Sequence, residues 1–291
     1  MPSEIYNALK LSEYRPLFQD KRVLVIGAGA VGSYLMEFLA KMGVSPDALD
    51  FDTFTLENAA KHGCLVRTPE DAGRNKARCV SERVQPLLDE GCTSHGIQGD
   101  VCNLGPEAFA DYDVVMVAVD NFAAKVLVNE LIRQLPESRR PVVVMDGTNR
   151  ETAQSVILDN TEFCLRCLLD EKWMKEAHIR TSCTGPRYRD DYGTPEIVRT
   201  TNRASSLAAY LSTEQFHGYV LGAETAMNRM LTYTAYPNLA LTASRPLRKP
   251  HCPGCAIHPP AQLEWLQGNG MEVTLREALG QLEERLGTRD F

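Results

Sequence analysis

Apolar and polar positions fall along this chain in short alternating blocks. "RVLVIG" (residues 22–27), "YDVVMVAVD" (112–120) and "RPVVVMDG" (140–147) are near-continuous apolar runs, the mark of strands buried on both faces. Between them lie stretches whose apolar residues recur at three- and four-residue spacing. "VGSYLMEFLAKMG" predicts a helix that stops at Gly43, and "NFAAKVLVNELIRQL" (121–135) predicts another. "EDAGRNKARCVSERVQPLLDE" (70–90) predicts a third, with Ala77, Val80, Val84 and Leu87 on one face. "DALDFD" reads as a strand ending on acids and "SHGIQGDV" as a weak strand. This order predicts an α/β fold, a doubly wound and mostly parallel sheet with helices on both faces.

After Gly147 the pattern changes. "AQSVILD" fits a strand, and residues 178–201 are polar, rich in Arg, Gly and Pro, and weakly patterned, which predicts a long functional loop. "RASSLAAYLSTEQFHGYVLG" fits a helix, and "MLTYTAYPNLALTAS" an antiparallel hairpin turning at Pro237-Asn238. The last residues pair Thr274 with Glu277 as a capping box and space Leu275, Leu279, Leu282 and Leu286 as an amphipathic helix. The expected organisation is an N-terminal segment over 1–20, one domain over 21–260, and a helical tail over 261–291.

Composition narrows the class. With 291 residues and 44% hydrophobic residues, the chain suffices for one large core. A net charge of −7 argues against a nucleic-acid partner, which needs a basic surface. "MPSEIYNALK" has no basic-then-apolar leader pattern and no apolar run approaches a membrane span, so the expectation is a soluble, cytoplasmic protein. Nine cysteines, an odd number in such a compartment, predict thiols or metal ligands.

Candidate chemistry gathers at a few places. Gly27, Gly29 and Gly32 form G-x-G-x-x-G between a strand and a helix, the turn that cradles nucleotide phosphates in NAD, FAD and ATP enzymes alike. Asp50 lies 18 positions after Gly32 at a strand end, where a carboxylate accepts ribose hydroxyls; Asp52 either does so instead or caps the next turn. Asp120 ends another buried strand. It either holds Mg²⁺ beside a triphosphate or caps the following helix. Arg74 and Lys76, at the start of a helix, read first as a solvated face. Cys164/Cys167 and Cys252/Cys255 form two C-x-x-C knuckles separated by 84 residues, the donor set of a structural Zn²⁺ site. Cys183 stands alone among Arg180, Arg187 and Arg189, a setting that favours a nucleophilic thiolate, whereas Cys79 has helix-core spacing.

Taken in order, these pieces resemble the E1-like activating enzymes of ThiF/MoeB type, which activate ubiquitin-like and sulfur-carrier proteins. The resemblance runs from about Lys21 to about Cys255. It is carried by "RVLVIGAGAVGS", "DFDTFTLENAAKH", "GRNK", "VDNFAAKVLVNE", the hairpin "NRMLTYTAYPNLALTASRPLRKP", and the knuckles "FCLRCLL" and "HCPGC". The resemblance implies an E1-like adenylation domain that uses ATP and Mg²⁺. In it Asp50 binds ribose, Asn58 and Lys76 bind phosphates, and Asp120, followed by Asn121, supports Mg²⁺. It puts Cys183 where family members carry their thioester- or persulfide-forming nucleophile. The family's arginine three residues after the Asn is Lys61 here, and the loop around Cys183 reads "CTGPRYRDDYGTPE" rather than the glycine- and valine-rich family version. The resemblance further implies a homodimer in which an arginine of the partner subunit reaches the γ-phosphate, with Arg15 as candidate. An E2-like or rhodanese-like protein is the implied acceptor. Two other classes remain: an NAD-dependent oxidoreductase using the same glycine turn, and a catalytically silent E1-like scaffold, for which Lys61 speaks.

Overall fold

The structure is a computed structural model. It describes residues 15–56, 70–148, 152–168, 188–189, 195–196, 201–223, 226–235, 239–250 and 252–256. The tail over 261–291 and the hairpin turn at Pro237-Asn238 lie outside the described residues.

The strands are β1 (Val23–Ile26), β2 (Asp47–Asp50), β3 (Gly96–Gln98), β4 (Val114–Val117), β5 (Val142–Thr148), β6 (Thr152–Leu158), β7 (Tyr188–Arg189), β8 (Pro195–Glu196), β9 (Arg229–Thr234) and β10 (Ala240–Ser244). The helices are α1 (Ala30–Met42), α2 (Lys76–Val84), α3 (Phe122–Gln134), α4 (Asn202–Val220) and the short α5 (Pro253–Ala256). Eight strands form one sheet in the order β10-β9-β6-β5-β4-β1-β2-β3. β3, β2, β1, β4 and β5 run parallel, whereas β6, β9 and β10 continue the sheet antiparallel. Among the described residues, β7 and β8 pair with each other apart from this sheet, within the segment read as a long loop.

The apolar runs bury both faces because successive side chains point opposite ways. Val23 and Val25 of β1 join α1, α2 and α4 in one core. Leu24 and Ile26 join α3 and Phe163 in the other. Helix α1 ends as expected at Gly43, whose φ of 98° is the left-handed cap conformation, its N–H reaching back to the Ala40 carbonyl.

One element differs from its expectation. Residues 70–75 are not helical. Gly73 has φ +81°, and the segment runs back along the chain after β2 through bridges Thr53–Asn75 and Phe54–Ala72. Helix α2 therefore starts at Lys76, and Leu87 lies in a 3₁₀ turn beyond it. Asn75 is the cap: its Oδ1 accepts from the Arg78 N–H at 3.1 Å, while its Nδ2 donates to the Asp50 and Asp52 carbonyls at 2.9 and 3.0 Å. Asn75→Ala would lose the cap and one of the donors to each of the Asp50 and Asp52 carbonyls, which keep the Gly99 and Lys76 N–H groups, in a site only 8% exposed. The expected cost is about 2–3 kcal/mol, read as a fall in Tm of roughly 4–10 °C in a thermal melt. Asn75→Asp, which keeps the acceptor alone, should fall between.

Candidate active site and metal clip

Strand β1 lies between β2 and β4, where the order of the sheet reverses, so a crevice opens at the carboxyl ends of these strands. The three glycines fill different needs there. A Cβ on Gly27 would sit 2.8 Å from the Ala118 carbonyl oxygen, and one on Gly32 only 1.8 Å from the Gly27 carbonyl oxygen. These two let turn, helix and neighbouring strand end close on one another. A Cβ on Gly29 would meet nothing within 4 Å. Gly29 directly precedes α1, so it borders the open space faced by that helix's N-terminus, the arrangement that suits a phosphate.

Asp50 is tied into this turn. Its Oδ2 accepts from the Ala28 N–H at 2.7 Å and its Oδ1 from the Asp52 N–H at 2.8 Å. Burial pushes its carboxyl up, and Lys76 and the two backbone donors pull it back. Lys76 is not the solvated residue its position at the helix start predicts. It is 8% exposed, and its Nζ binds Asp52 Oδ2 at 2.9 Å while its N–H donates to the Asp52 carbonyl. The bridges from residues 53–54 fold it inward. Arg74, by contrast, is partly solvated and pairs with Asp71 and Glu82.

Asp120 is exposed at the end of the β4 segment. At the start of the following helix, Asn121 Oδ1 accepts from the Ala124 N–H at 3.4 Å. Two further residues, not singled out from the sequence, complete this corner. Lys125 is 5% exposed, and its Nζ donates to the Asp146 carbonyl and to Asp146 Oδ1, the latter at 3.3 Å. Burial drives the Asp146 carboxyl up, Lys125 opposes this, and the Asp120 charge adds to it. Asp146 carries the same mark as Asp50 and Asp120, an acid ending an apolar run, and Lys125 is the lone cation within "FAAKVLV".

Arg15 sits elsewhere within the chain. It forms a forked ion pair with Asp89, at 2.7 and 3.0 Å, and its side chain lies over Gly43 at the far end of α1 from the glycine turn. Asn58, Lys61 and Cys183 lie outside the described residues. Cys79 is buried as its spacing predicts, its thiol pushed up to about 12 by burial and by Asp71.

The two knuckles meet. Cys164 and Cys252 Sγ are 3.6 Å apart, Cys167 and Cys255 3.4 Å, and Cys164 and Cys255 3.5 Å; all four sulfurs lie within 4.8 Å of one another. A tetrahedron with Zn–S bonds of about 2.3 Å has edges of about 3.8 Å, so the four thiols fit a zinc ion with little adjustment. Each knuckle closes on its own turn, Cys167 N–H to the Cys164 carbonyl and Cys255 N–H to the Cys252 carbonyl. The hydrogen bond between Cys164 and Cys252 pulls the Cys252 thiol down and pushes the Cys164 thiol up. Helix α3 backs the cluster. Asn129 Oδ1 accepts from the Leu165 N–H at 3.1 Å, Glu130 pairs with Arg166 at 2.5 Å, and Arg133 donates to the Gly254 carbonyl. Among the described residues, no helix is long and apolar enough to cross a membrane.

Comparison with known proteins gives this arrangement its class. The ThiF family matches residues 8–254, and the chain belongs to that family. It is 29% identical over 191 residues to the SUMO-activating enzyme subunit 2 of Dictyostelium discoideum, covering 63% of this chain and 28% of the relative. It is 31% identical over 116 residues to the probable adenylyltransferase/sulfurtransferase MoeZ of Mycobacterium tuberculosis, covering 38% of this chain and 28% of that protein. With the SAMP-activating enzyme E1 of Haloferax volcanii it shares 29% identity over 155 residues, 52% of this chain and 54% of the relative. The matched part is thus between about a quarter and about half of these relatives' length. Among solved structures, E. coli MccB with ATP superposes with a TM-score of 0.64 at 16% identity, covering 83% of this chain and 68% of that one. At that identity the likeness concerns the fold.

Proposed function

We propose that this chain uses ATP to adenylate the C-terminal carboxylate of a small ubiquitin-like or sulfur-carrier protein. The observation that carries the reading is the crevice itself. A glycine turn opens at the switch point of the sheet, with Lys76 folded in over Asp52 and Asp50 on one side and Asp120 at the next strand end on the other. A bare dinucleotide site has no use for this inward lysine and outward carboxylate, whereas a magnesium-bound triphosphate has a use for both. The names of the relatives, activating enzymes and adenylyltransferases, support the same chemistry.

In this reading the carrier's carboxylate attacks the α-phosphorus of ATP, the bond to the β-phosphate bridging oxygen breaks, and pyrophosphate leaves. Lys76 and the N–H groups at the start of α1 face the phosphate charge, and Asp50 anchors the turn and the ribose. The product is a mixed anhydride. A thiolate at Cys183 can attack its carbonyl carbon and expel AMP, leaving a thioester.

The test compares ATP·Mg²⁺ with NAD⁺ by calorimetric titration. It then measures pyrophosphate exchange into ATP with small carrier proteins that end in glycine. Preference for ATP and carrier-dependent exchange are expected. In Cys183→Ala exchange should persist, while a thiol-sensitive adduct with the carrier disappears. Preference for NAD⁺, or no exchange with any such carrier, would refute the reading.

A further inference from the structure

Arg166 occupies an unusual place. It stands between Cys164 and Cys167 in the first knuckle, its side chain is 7% exposed, and its Nε binds Glu130 Oε1 at 2.5 Å. It also lies hard against the second knuckle. A Cβ on Gly254 would come within 2.8 Å of both Arg166 Cδ and Cys164 Sγ, so glycine is required where the guanidinium stem passes. A second arginine, Arg133 of α3, donates to the Gly254 carbonyl.

Burying an arginine costs free energy unless charge answers charge. Glu130 answers part of it. What else requires a cation here follows from the donor set: a divalent metal held by four thiolates is a net dianion. Two disulfides between the same cysteines would be neutral and would gain nothing from a neighbouring guanidinium. Arg166 Cδ and Cys164 Sγ each lie 2.8 Å from the same point, the Cβ position of Gly254, so the guanidinium stem runs beside that sulfur.

We propose that Arg166, oriented by Glu130 and flanked by Arg133, offsets the negative charge of the four-thiolate site and thereby sets its affinity for a divalent cation. The inference concerns the clip and stands apart from the nucleotide chemistry. It assigns opposite signs to the two members of one ion pair. Arg166 strengthens metal binding through its charge, whereas Glu130 supplies orientation and, as an anion near a dianion, weakens binding.

The test uses the full-length chain, with Zn²⁺ affinity measured by competition against a chromophoric chelator. The thiolate-to-metal absorption of the Co²⁺ form reports whether four sulfurs bind. Arg166→Met, which keeps the apolar stem, should weaken Zn²⁺ binding by about tenfold or more, the usual scale for residues that support metal ligands. Arg166→Lys should recover most of that loss. Glu130→Gln keeps an oxygen to accept from Arg166 Nε and should bind Zn²⁺ as tightly as wild type or more tightly. If Glu130→Gln weakens binding as Arg166→Met does, the pair acts by packing alone and the inference falls. It falls also if Arg166→Met binds Zn²⁺ unchanged, or if the wild-type chain binds none. Should Arg166→Met fail to fold, Glu130→Gln and Arg166→Lys decide by the same signs.

Discussion

Asp120→Ala is expected to abolish adenylation while leaving the fold intact. Pyrophosphate exchange should fall by at least about a hundredfold, the scale on which loss of one charge-stabilising group acts at a phosphoryl centre. Stability should change little. Asp120 is exposed, Asn121 Oδ1 accepts from the Ala124 N–H at the start of α3, and β4 is held on both sides by β1 and β5. A substitution at such a position usually shifts stability by about 0.5 kcal/mol or less, which is roughly 1–2 °C in Tm. The two results together discriminate. If Asp120 serves the helix instead, the melting temperature drops and exchange with the carrier continues at the wild-type rate.

The position of Asp120 just past a buried strand was legible in the sequence for the same reason as the glycine turn. Both are set by neighbours in the chain, an apolar run that must become a buried strand and the residues that must leave it. The knuckles were legible because two cysteines at i and i+3 already lie on one turn. What could not be read is what distant segments impose. Lys76 follows Asn75 at the start of an exposed-looking helix. It is buried only because residues 53–54 return to bridge 72–75, bringing Asp52 within 2.9 Å. The same bridges, with the positive φ of Gly73, unwound the first residues of the expected helix. Lys125 and Asp146 are 21 residues apart and meet because β4 and β5 pair in parallel with Val117 beside Met145. The grip of Asn129, Glu130 and Arg133 on both knuckles likewise depends on packing that no local pattern encodes.

The knuckles carry the largest expected effect on stability. The wild-type chain should hold about one zinc, and Cys252→Ser should hold about none, because three thiolates no longer close the tetrahedron. The clip crosslinks two segments separated by 84 residues. In the chain-entropy account, closing a loop of that length contributes about 4.5 kcal/mol, so losing it should lower Tm by on the order of 10 °C. Zinc by mass spectrometry and a calorimetric scan read the two quantities on one sample. Cys79→Ser is the control. That thiol is 1% exposed, beside Asp71 and remote from the cluster in sequence, so its loss should cost some packing and leave the zinc count at about one. The expected pattern is therefore specific to the clip: metal and a large share of stability lost together in Cys252→Ser, stability alone reduced in Cys79→Ser. A Cys252→Ser protein that keeps its zinc, or a wild-type chain purified without chelators that contains none, would remove the four-cysteine site from the account.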